Sequence, residues 1–412
     1  MLTADAGGNS NSLPPENGAA VWLVLDLAPK KRGSMEAQLV SLGARLTAAG
    51  ARPTFVFSRP APAWLEASFV ASGVETRVLD FRRPAAAAMA FSRMMEAARP
   101  ALVHFHFVRA YSPLVAMAKA VGARVILHDH ITLGQPSKPD HPRRPAAALL
   151  LARGYKRARA AALNGFVNRR IAVSRFVADS VQCAEFVADD KLTVIENGIE
   201  LSRYGTGDGA SLRAELRAEG RKVVACVSRL APEKGIDVLI RVMARVGRDA
   251  LLLLAGDGPD VEACRALARA IGLHDHVRFL GLRDDVERVL AAADVVVMPS
   301  LWDEAFGLVV VEAMAAARAV VVTASGAMPE LVAGGCGVVV PKRDEVAMAG
   351  AIGRLLDDDA ARTRLGQAAH AHAITRFGLS TWVERIMEQY AALVPMLGGG
   401  GKTSGGSVRR AA

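Results

Sequence analysis

The sequence has 412 residues, too many for one ordinary hydrophobic core, so two domains are expected. With 51% hydrophobic and 22% charged residues, the composition excludes a disordered chain. The formal net charge of +10 is confined to the first half: residues 1–205 hold 26 Lys and Arg against 16 Asp and Glu, while residues 206–412 hold 25 of each. A one-sided positive field attracts anionic partners such as a phosphate-bearing substrate, an anionic membrane face or nucleic acid.

Residues 1–18 are polar and rich in Gly, Asn and Pro, with no signal-peptide pattern, so a disordered N-terminus and a cytoplasmic protein are expected. Short Val- and Ile-rich runs then alternate with longer amphipathic stretches, the rhythm of strands and crossover helices. In the first half the strands are read at Val21–Leu27, Pro53–Ser58, Val74–Leu79, Leu102–Phe107, Arg124–His128, Arg170–Val173 and Leu192–Ile195. Helices are read between them, as at Met35–Ala49 and Pro113–Val121. From Lys138 to Arg170 a basic amphipathic stretch carries Arg143, Arg144, Arg153, Lys156, Arg157, Arg159 and Arg169, interleaved with Leu149 to Leu151, Tyr155 and Leu163. Such a helix suits an anionic membrane face, and a solvated helix face is the competing reading. Aromatics are scarce there and no recognition motif accompanies the charge, which argues against nucleic acid.

The rhythm restarts after a polar stretch, Glu200 to Glu219, whose Gly205, Gly207 and Gly209 suggest an inter-domain linker. The second series reads Lys222–Val227, Ala250–Ala255, Val277–Leu280, Val295–Met298, Ala319–Thr323 and Gly337–Val340, followed by a last long helix near Thr381 to Leu393. Two series of this kind imply two α/β domains with parallel sheets. The expected organisation is 1–18 disordered, 19–205 and 206–378 Rossmann-like, 379–397 helical and 398–412 disordered. Within that tail Gly398 to Thr403 mimics a phosphate-binding loop, but Met396 stands where its first glycine belongs and no strand precedes it. Cys183, Cys226, Cys264 and Cys336 form no C-x-x-C or zinc spacing and read as buried thiols in a reducing compartment.

Chemistry concentrates in Val295 to Ala316, where a buried strand ends in Pro299-Ser300 and leads through Glu304, Phe306, Gly307 and Leu308 into a helix carrying Glu312. Ligands of open parallel sheets sit at such strand ends, and a helix start favours an anion. Glu304 and Glu312, eight residues apart, can face one crevice and bind hydroxyl groups; solvated helix charges are the plainer alternative. Ser228-Arg229 to Lys234-Gly235 follows the first strand of the second series, where a cation pair can clamp a diphosphate. Alone, such a pair is as readily a surface salt bridge. Gly256-Asp257-Gly258-Pro259 is a tight turn at another strand end. In the first half Gly33-Ser34-Met35-Glu36 follows the first strand, while His104-x-His106 and His128-Asp129-His130 end later ones. Zinc held by these histidines is conceivable by ligand type, as is a structural role. Asp357 to Asp359 reads as a solvated helix flank rather than a metal-binding D-x-D.

The run Val297 to Ser300, Glu304-x-Phe306-Gly307-Leu308 and Glu312 to Ala315 closely resembles the E-x7-E signature of retaining glycosyltransferases of family four. Arg229 to Gly235 is similar to that family's G-R-x4-K-G segment, with Ser228 in place of glycine. Gly256-x-Gly258-Pro259 is similar to its G-x-G-P turn. Gly326-Ala327-Met328-Pro329-Glu330 resembles G-G-x-P-E with Ala327 for the second glycine, and Ala319 replaces a usual proline. Phe377, Trp382 and Tyr390 resemble its closing segment.

The resemblance implies a GT-B fold: two Rossmann-like domains with parallel sheets, a cleft between them and a C-terminal helix crossing back to the first. It also implies transfer of a sugar, with retention, from a nucleoside diphosphate to a hydroxyl acceptor, with no metal or other cofactor. On that basis Arg229 and Lys234 would hold the diphosphate and Glu312 the ribose. Glu304 with Phe306, Gly307 and Leu308 would hold the sugar, His106 would contact it, and Gly33, Ser228, Gly256 and Gly258 would line the donor site. The basic first domain suggests a lipid-linked or glycan acceptor in cell-envelope synthesis and peripheral attachment to the inner membrane face. A sugar-nucleotide epimerase and a non-catalytic nucleotide-sugar or glycan-binding protein remain open.

Overall fold

The computed structural model describes residues 18–29, 32–132, 146–247 and 249–398. The expectations for residues 1–17 and 399–412, and for Lys138, Arg143 and Arg144, lie outside the described residues. Two compact units are present: Met1–Lys30 with Val40–Ile126 and Met387–Ala412, and Lys31–Leu39 with Leu127–Ile386.

The first sheet has seven strands, β1 (Ala20–Leu25), β2 (Arg52–Phe57), β3 (Glu75–Val78), β4 (Leu102–His106), β5 (Arg124–Asp129), β6 (Arg169–Ala172) and β7 (Leu192–Val194), in the order β3-β2-β1-β4-β5-β6-β7. The second has six, β8 (Lys222–Val227), β9 (Ala250–Ala255), β10 (Val277–Gly281), β11 (Val295–Met298), β12 (Ala319–Thr323) and β13 (Val338–Val340), ordered β10-β9-β8-β11-β12-β13. Every expected strand forms, with ends shifted by no more than two residues. The first half also carries α1 (Ser34–Ala48), α2 (Ala63–Ala71), α3 (Pro84–Ala98), α4 (Pro113–Ala120), α5 (Ala146–Gly165), α6 (Arg175–Glu185), α7 (Leu201–Gly205) and α8 (Gly209–Glu215). The second carries α9 (Ile236–Val246), α10 (Val261–Ala270), α11 (Val286–Ala292), α12 (Leu308–Ala315), α13 (Met328–Leu331), α14 (Glu345–Asp357), α15 (Asp359–Arg376) and α16 (Leu379–Leu393).

In the first unit β1 lies parallel between β2 and β4, Leu23 opposite both Phe55 and His104. Its Val21 to Leu25 are all fully buried, as a strand covered on both faces must be. Phe69 of α2 meets Phe55 edge-on at 5.3 Å between ring centroids and stacks on Phe57 at 5.8 Å. Tyr390, near the end of α16, belongs to the same unit, and its hydroxyl lies 2.6 Å from His104 Nδ1.

In the second unit, successive residues of β8 enter two different cores: Val223, Ala225 and Val227 join one, Val224 and Cys226 the other. β9, β11 and β12 alternate in the same way, because side chains switch faces at every residue. Both cores are apolar, which is why these strands read as continuous hydrophobic runs. Asp344 and Asp358 start α14 and α15 by accepting from Ala347 N at 2.9 Å and Ala361 N at 2.8 Å. Asp359 pairs with Lys222 at 2.7 Å, so this acidic run is a helix flank, as its position suggested.

The stretch Glu200 to Glu219, read as containing the inter-domain linker, folds into α7 and α8, and one thiol expected to be buried is not. A Cβ on Gly209 would lie 2.4 Å from the backbone of Ala291, and one on Gly207 would lie 2.3 Å from Glu287 O, so these glycines permit close packing on α11. Cys183 is exposed on α6, whereas Cys226, Cys264 and Cys336 are buried. Among the described residues, no helix is long and apolar enough to cross a membrane.

Candidate functional site

The order of the second sheet reverses at β8, which has β9 on one side and β11 on the other, all parallel. In doubly wound sheets the strand ends at such a switch point form the binding crevice. The segments singled out by sequence lie there: Ser228 to Gly235 after β8, Gly256 to Pro259 after β9 and Pro299 to Gly307 after β11.

Close backbone approach holds the first two together. Leu230 N donates to Asp257 O at 2.9 Å, and Gly256 has φ +137, a conformation that glycine adopts without strain. A Cβ there would lie 1.9 Å from Ser228 O, and one on Gly258 would lie 2.1 Å from Leu230 O. Ser228, in place of the family's glycine, is compatible with this approach because it contributes its carbonyl. Between β8 and β11, Glu233 O accepts from Leu301 N at 2.9 Å and Trp302 N at 3.0 Å.

On this frame Lys234 Nζ lies 2.5 Å from Glu304 Oε1, both side chains largely buried. Ser300 Oγ donates to the same oxygen at 2.7 Å. Arg229 instead pairs with Glu233 one turn on, and its side chain is 62% exposed, free to turn toward an incoming anion. Hydrogen bonding to its own backbone N–H, followed by the Arg229 charge, holds the Glu233 carboxyl below its ordinary value. The next loop is fastened too: Asp303 pairs with Lys342 and accepts from Gly326 N at 3.0 Å, while Glu304 O accepts from Ala327 N at 2.8 Å. Ala327 has φ −76, so this position makes no demand for the second glycine.

Gly307, at φ +124, starts α12, and the first-turn N–H groups of a helix are unsatisfied within it. Phe306 packs edge-on against Phe377 at 5.9 Å, and Leu308 packs against the same core. Glu312, one turn into α12 and 8% exposed, accepts from Ser34 Oγ at 2.6 Å, and Tyr204 OH lies 3.3 Å from that Oγ. Gly33 immediately precedes Ser34, the first residue of α1. His106 ends β4 in the first unit, 3% exposed, its ring 4.2 Å from that of His104. His128 is buried on β5, its ring stacked on His130.

Of the residues singled out by sequence, the structure brings Lys234 to Glu304 and buries Glu312 against Ser34, and the spacing did not show what holds them. Ser300, adjacent to the motif, could have been singled out as a short donor at a strand end. Nothing in the spacing links Ser34 and Tyr204 to a glutamate 278 residues from the former. The arrangement provides a mobile cation, a second cation paired to a fixed carboxylate, a helix start and a buried carboxylate, which together suit a diphosphate flanked by hydroxyl-bearing rings.

The family model described as Glycosyl transferases group 1 matches residues 210–372, and that described as Glycosyltransferase Family 4 matches residues 35–203. D-inositol 3-phosphate glycosyltransferase of Corynebacterium efficiens is 36% identical over 200 residues, 45% of this chain and 47% of the relative. The enzyme of that name from Nocardia farcinica is 35% identical over 218 residues, 49% of this chain and 48% of its own. The chain thus spans about half the length of the curated relatives it matches. Anabaena Alr3699/HepE, solved in complex with UDP, superposes with a TM-score of 0.74 at 22% identity, covering 91% of this chain and all of its own, which concerns the fold alone. The two models adjoin, so residues 35–203 match a Glycosyltransferase Family 4 domain and residues 210–372 a Glycosyl transferases group 1 domain, and the two parallel sheets have the GT-B fold.

Proposed function

We propose that this chain transfers a sugar from a nucleoside diphosphate to a hydroxyl acceptor, with retention at the anomeric carbon and without a metal. The observation that carries this is the Lys234–Glu304 pair at the switch point, beside the start of α12. When the bond from sugar C1 to the diphosphate oxygen breaks, negative charge grows on the leaving phosphate. Lys234, Arg229 and the N–H groups that open α12 are the donors suited to stabilise it, and a fixed charge aimed at developing charge lowers the barrier. Glu304, held by Lys234 and Ser300, is suited to sugar hydroxyls and Glu312 to the ribose. Gly33, Gly256 and Gly258 leave backbone close to the donor, and His106 is assigned to the sugar. The UDP complex of the Anabaena protein supports a nucleotide-sugar donor, and the name of the curated relatives supports glycosyl transfer. The surplus of basic residues in the first half supports a lipid-linked or glycan acceptor of the cell envelope, met at the inner membrane face.

Nucleoside diphosphate release from a panel of sugar nucleotides, in EDTA and with D-inositol 3-phosphate and lipid-linked sugars as acceptors, tests this. Acceptor-stimulated release that persists in EDTA and falls about 100- to 1,000-fold in Lys234→Ala and Glu304→Ala is expected. Epimerised donor without an acceptor would indicate an epimerase, and binding without turnover a non-catalytic module.

A further inference from the structure

We propose that Tyr204 and Ser34 are positioning residues for Glu312, a hydroxyl relay that holds its carboxylate in the orientation that receives the ribose. The proposal rests on the assignment of Glu312 to the ribose made above.

Ser34 opens α1, Tyr204 lies in α7 and Glu312 in α12, and their polar atoms meet inside the second unit, with each residue 8% exposed or less. Ser34 Oγ is 2.6 Å from Glu312 Oε1, and an ionised carboxylate only accepts, so the single hydroxyl proton of Ser34 goes to Glu312. With that proton committed, the 3.3 Å contact between Ser34 Oγ and Tyr204 OH is donated by the phenol. The phenol also bonds the Glu312 side chain, so its one proton is shared between Ser34 Oγ and the carboxylate that Ser34 already holds. Burial, reinforced by the Glu312 charge and by the bond to its side chain, pushes the Tyr204 pKa up.

Each hydroxyl is itself anchored. Gln38, one turn into α1, donates Nε2 to Gly198 O at 2.8 Å, fixing the helix start that carries Ser34. Arg203, beside Tyr204, bonds Glu287 Oε2 at 2.9 Å and Asp284 O at 2.7 Å, fixing α7. A carboxylate has two oxygens and about four acceptor sites, so one bond from Ser34 orients the group and leaves it able to accept from both hydroxyls of a ribose. Because each donor in the chain polarises the next, removing the terminal phenol should weaken the Ser34–Glu312 bond as well.

The relay predicts a selectivity that general loosening of the fold would not produce. Binding is measured by calorimetry for whichever of UDP, GDP, ADP and CDP the wild type binds most tightly, and for its 2′,3′-dideoxy analogue. Glu312→Gln serves as the reference. Tyr204→Phe and Ser34→Ala should weaken the ribonucleotide about three- to tenfold, as expected for the loss of one ordinary hydrogen bond, and leave the dideoxy analogue unchanged. Ser34→Thr, which keeps the hydroxyl, should restore ribonucleotide binding in the fold that Ser34→Ala retains. If Glu312→Gln loses ribose selectivity while Tyr204→Phe and Ser34→Ala keep it, the donor site stands and the relay is overturned. Equal weakening of both nucleotides in Tyr204→Phe also overturns it, as a packing effect. If the wild type binds none of the four, or Glu312→Gln discriminates as the wild type does, the ribose assignment itself fails and the relay with it.

Discussion

Position 256 leaves no room for a side chain: a Cβ there meets Ser228 O at 1.9 Å on a backbone with φ +137. Gly256→Ala should therefore cost about 1–3 kcal/mol in backbone strain alone, and move the β8 and β9 turns apart. A urea midpoint unchanged from wild type would refute this. A second residue-scale test concerns Arg170, 2% exposed, which bonds Asp129 through Nε at 3.0 Å and Nη2 at 2.7 Å and also pairs with Glu185. Removing one member of a buried ionic group leaves the others uncompensated, so Asp129→Ala should destabilise by about 3–5 kcal/mol. Glu185, partly exposed and able to reach water, should be the milder site in the same denaturation experiment.

At the scale of elements, α6 has two caps. Ser174 Oγ accepts from Val177 N at 3.1 Å, and Glu330 at the start of α13 accepts from Phe176 N at 2.7 Å and Arg175 N at 3.0 Å. These N–H groups favour the ionised carboxylate, but burial outweighs them, and the Glu330 pKa lies above its ordinary 4.5. A raised carboxyl pKa means that the folded chain holds this proton more tightly than the unfolded chain. The resulting stability is complete below pH 4.5 and is lost as pH rises through the folded value. Relative to Glu330→Gln, wild type should lose stability across that window and run parallel above it; parallel curves throughout would contradict the shift. Elements were also what the sequence made most legible. The thirteen strands could be read from their apolar runs, most plainly where both faces are buried, as in β1, β4, β8 and β9, and the segments holding Lys234, Glu304 and Glu312 stood out because they follow strand ends. Illegible were contacts made by distant residues: Ser34 and Tyr204 on Glu312, Ser174 Oγ donating to Ala305 O at 2.6 Å, and the packing of Gly209 on α11. Glycines in a polar stretch signal a bend or a close contact equally well, and only tertiary structure distinguishes them.

The whole molecule is electrostatically lopsided, with its excess of Lys and Arg in residues 1–205 and exposed Arg157 and Arg159 on α5. If this charge meets a membrane, the protein should sediment with vesicles containing anionic lipid, not with neutral ones, and be released by salt. Arg159→Glu should weaken the association by more than the roughly 1 kcal/mol of a single lost charge, since it also adds a repulsive one. Equal sedimentation with neutral vesicles would exclude the electrostatic account. The His104–Tyr390 contact has a consequence for synthesis. Most of the first unit is made before the second, yet the phenol that meets His104 Nδ1 arrives 286 residues after it. At about 5–20 residues per second, that interval is roughly 15–60 s. During it the nascent first unit lacks the segment from Met387 onward that belongs to it. A ribosome stalled before codon 387 should therefore present a first unit that proteases cut more readily than in the released chain.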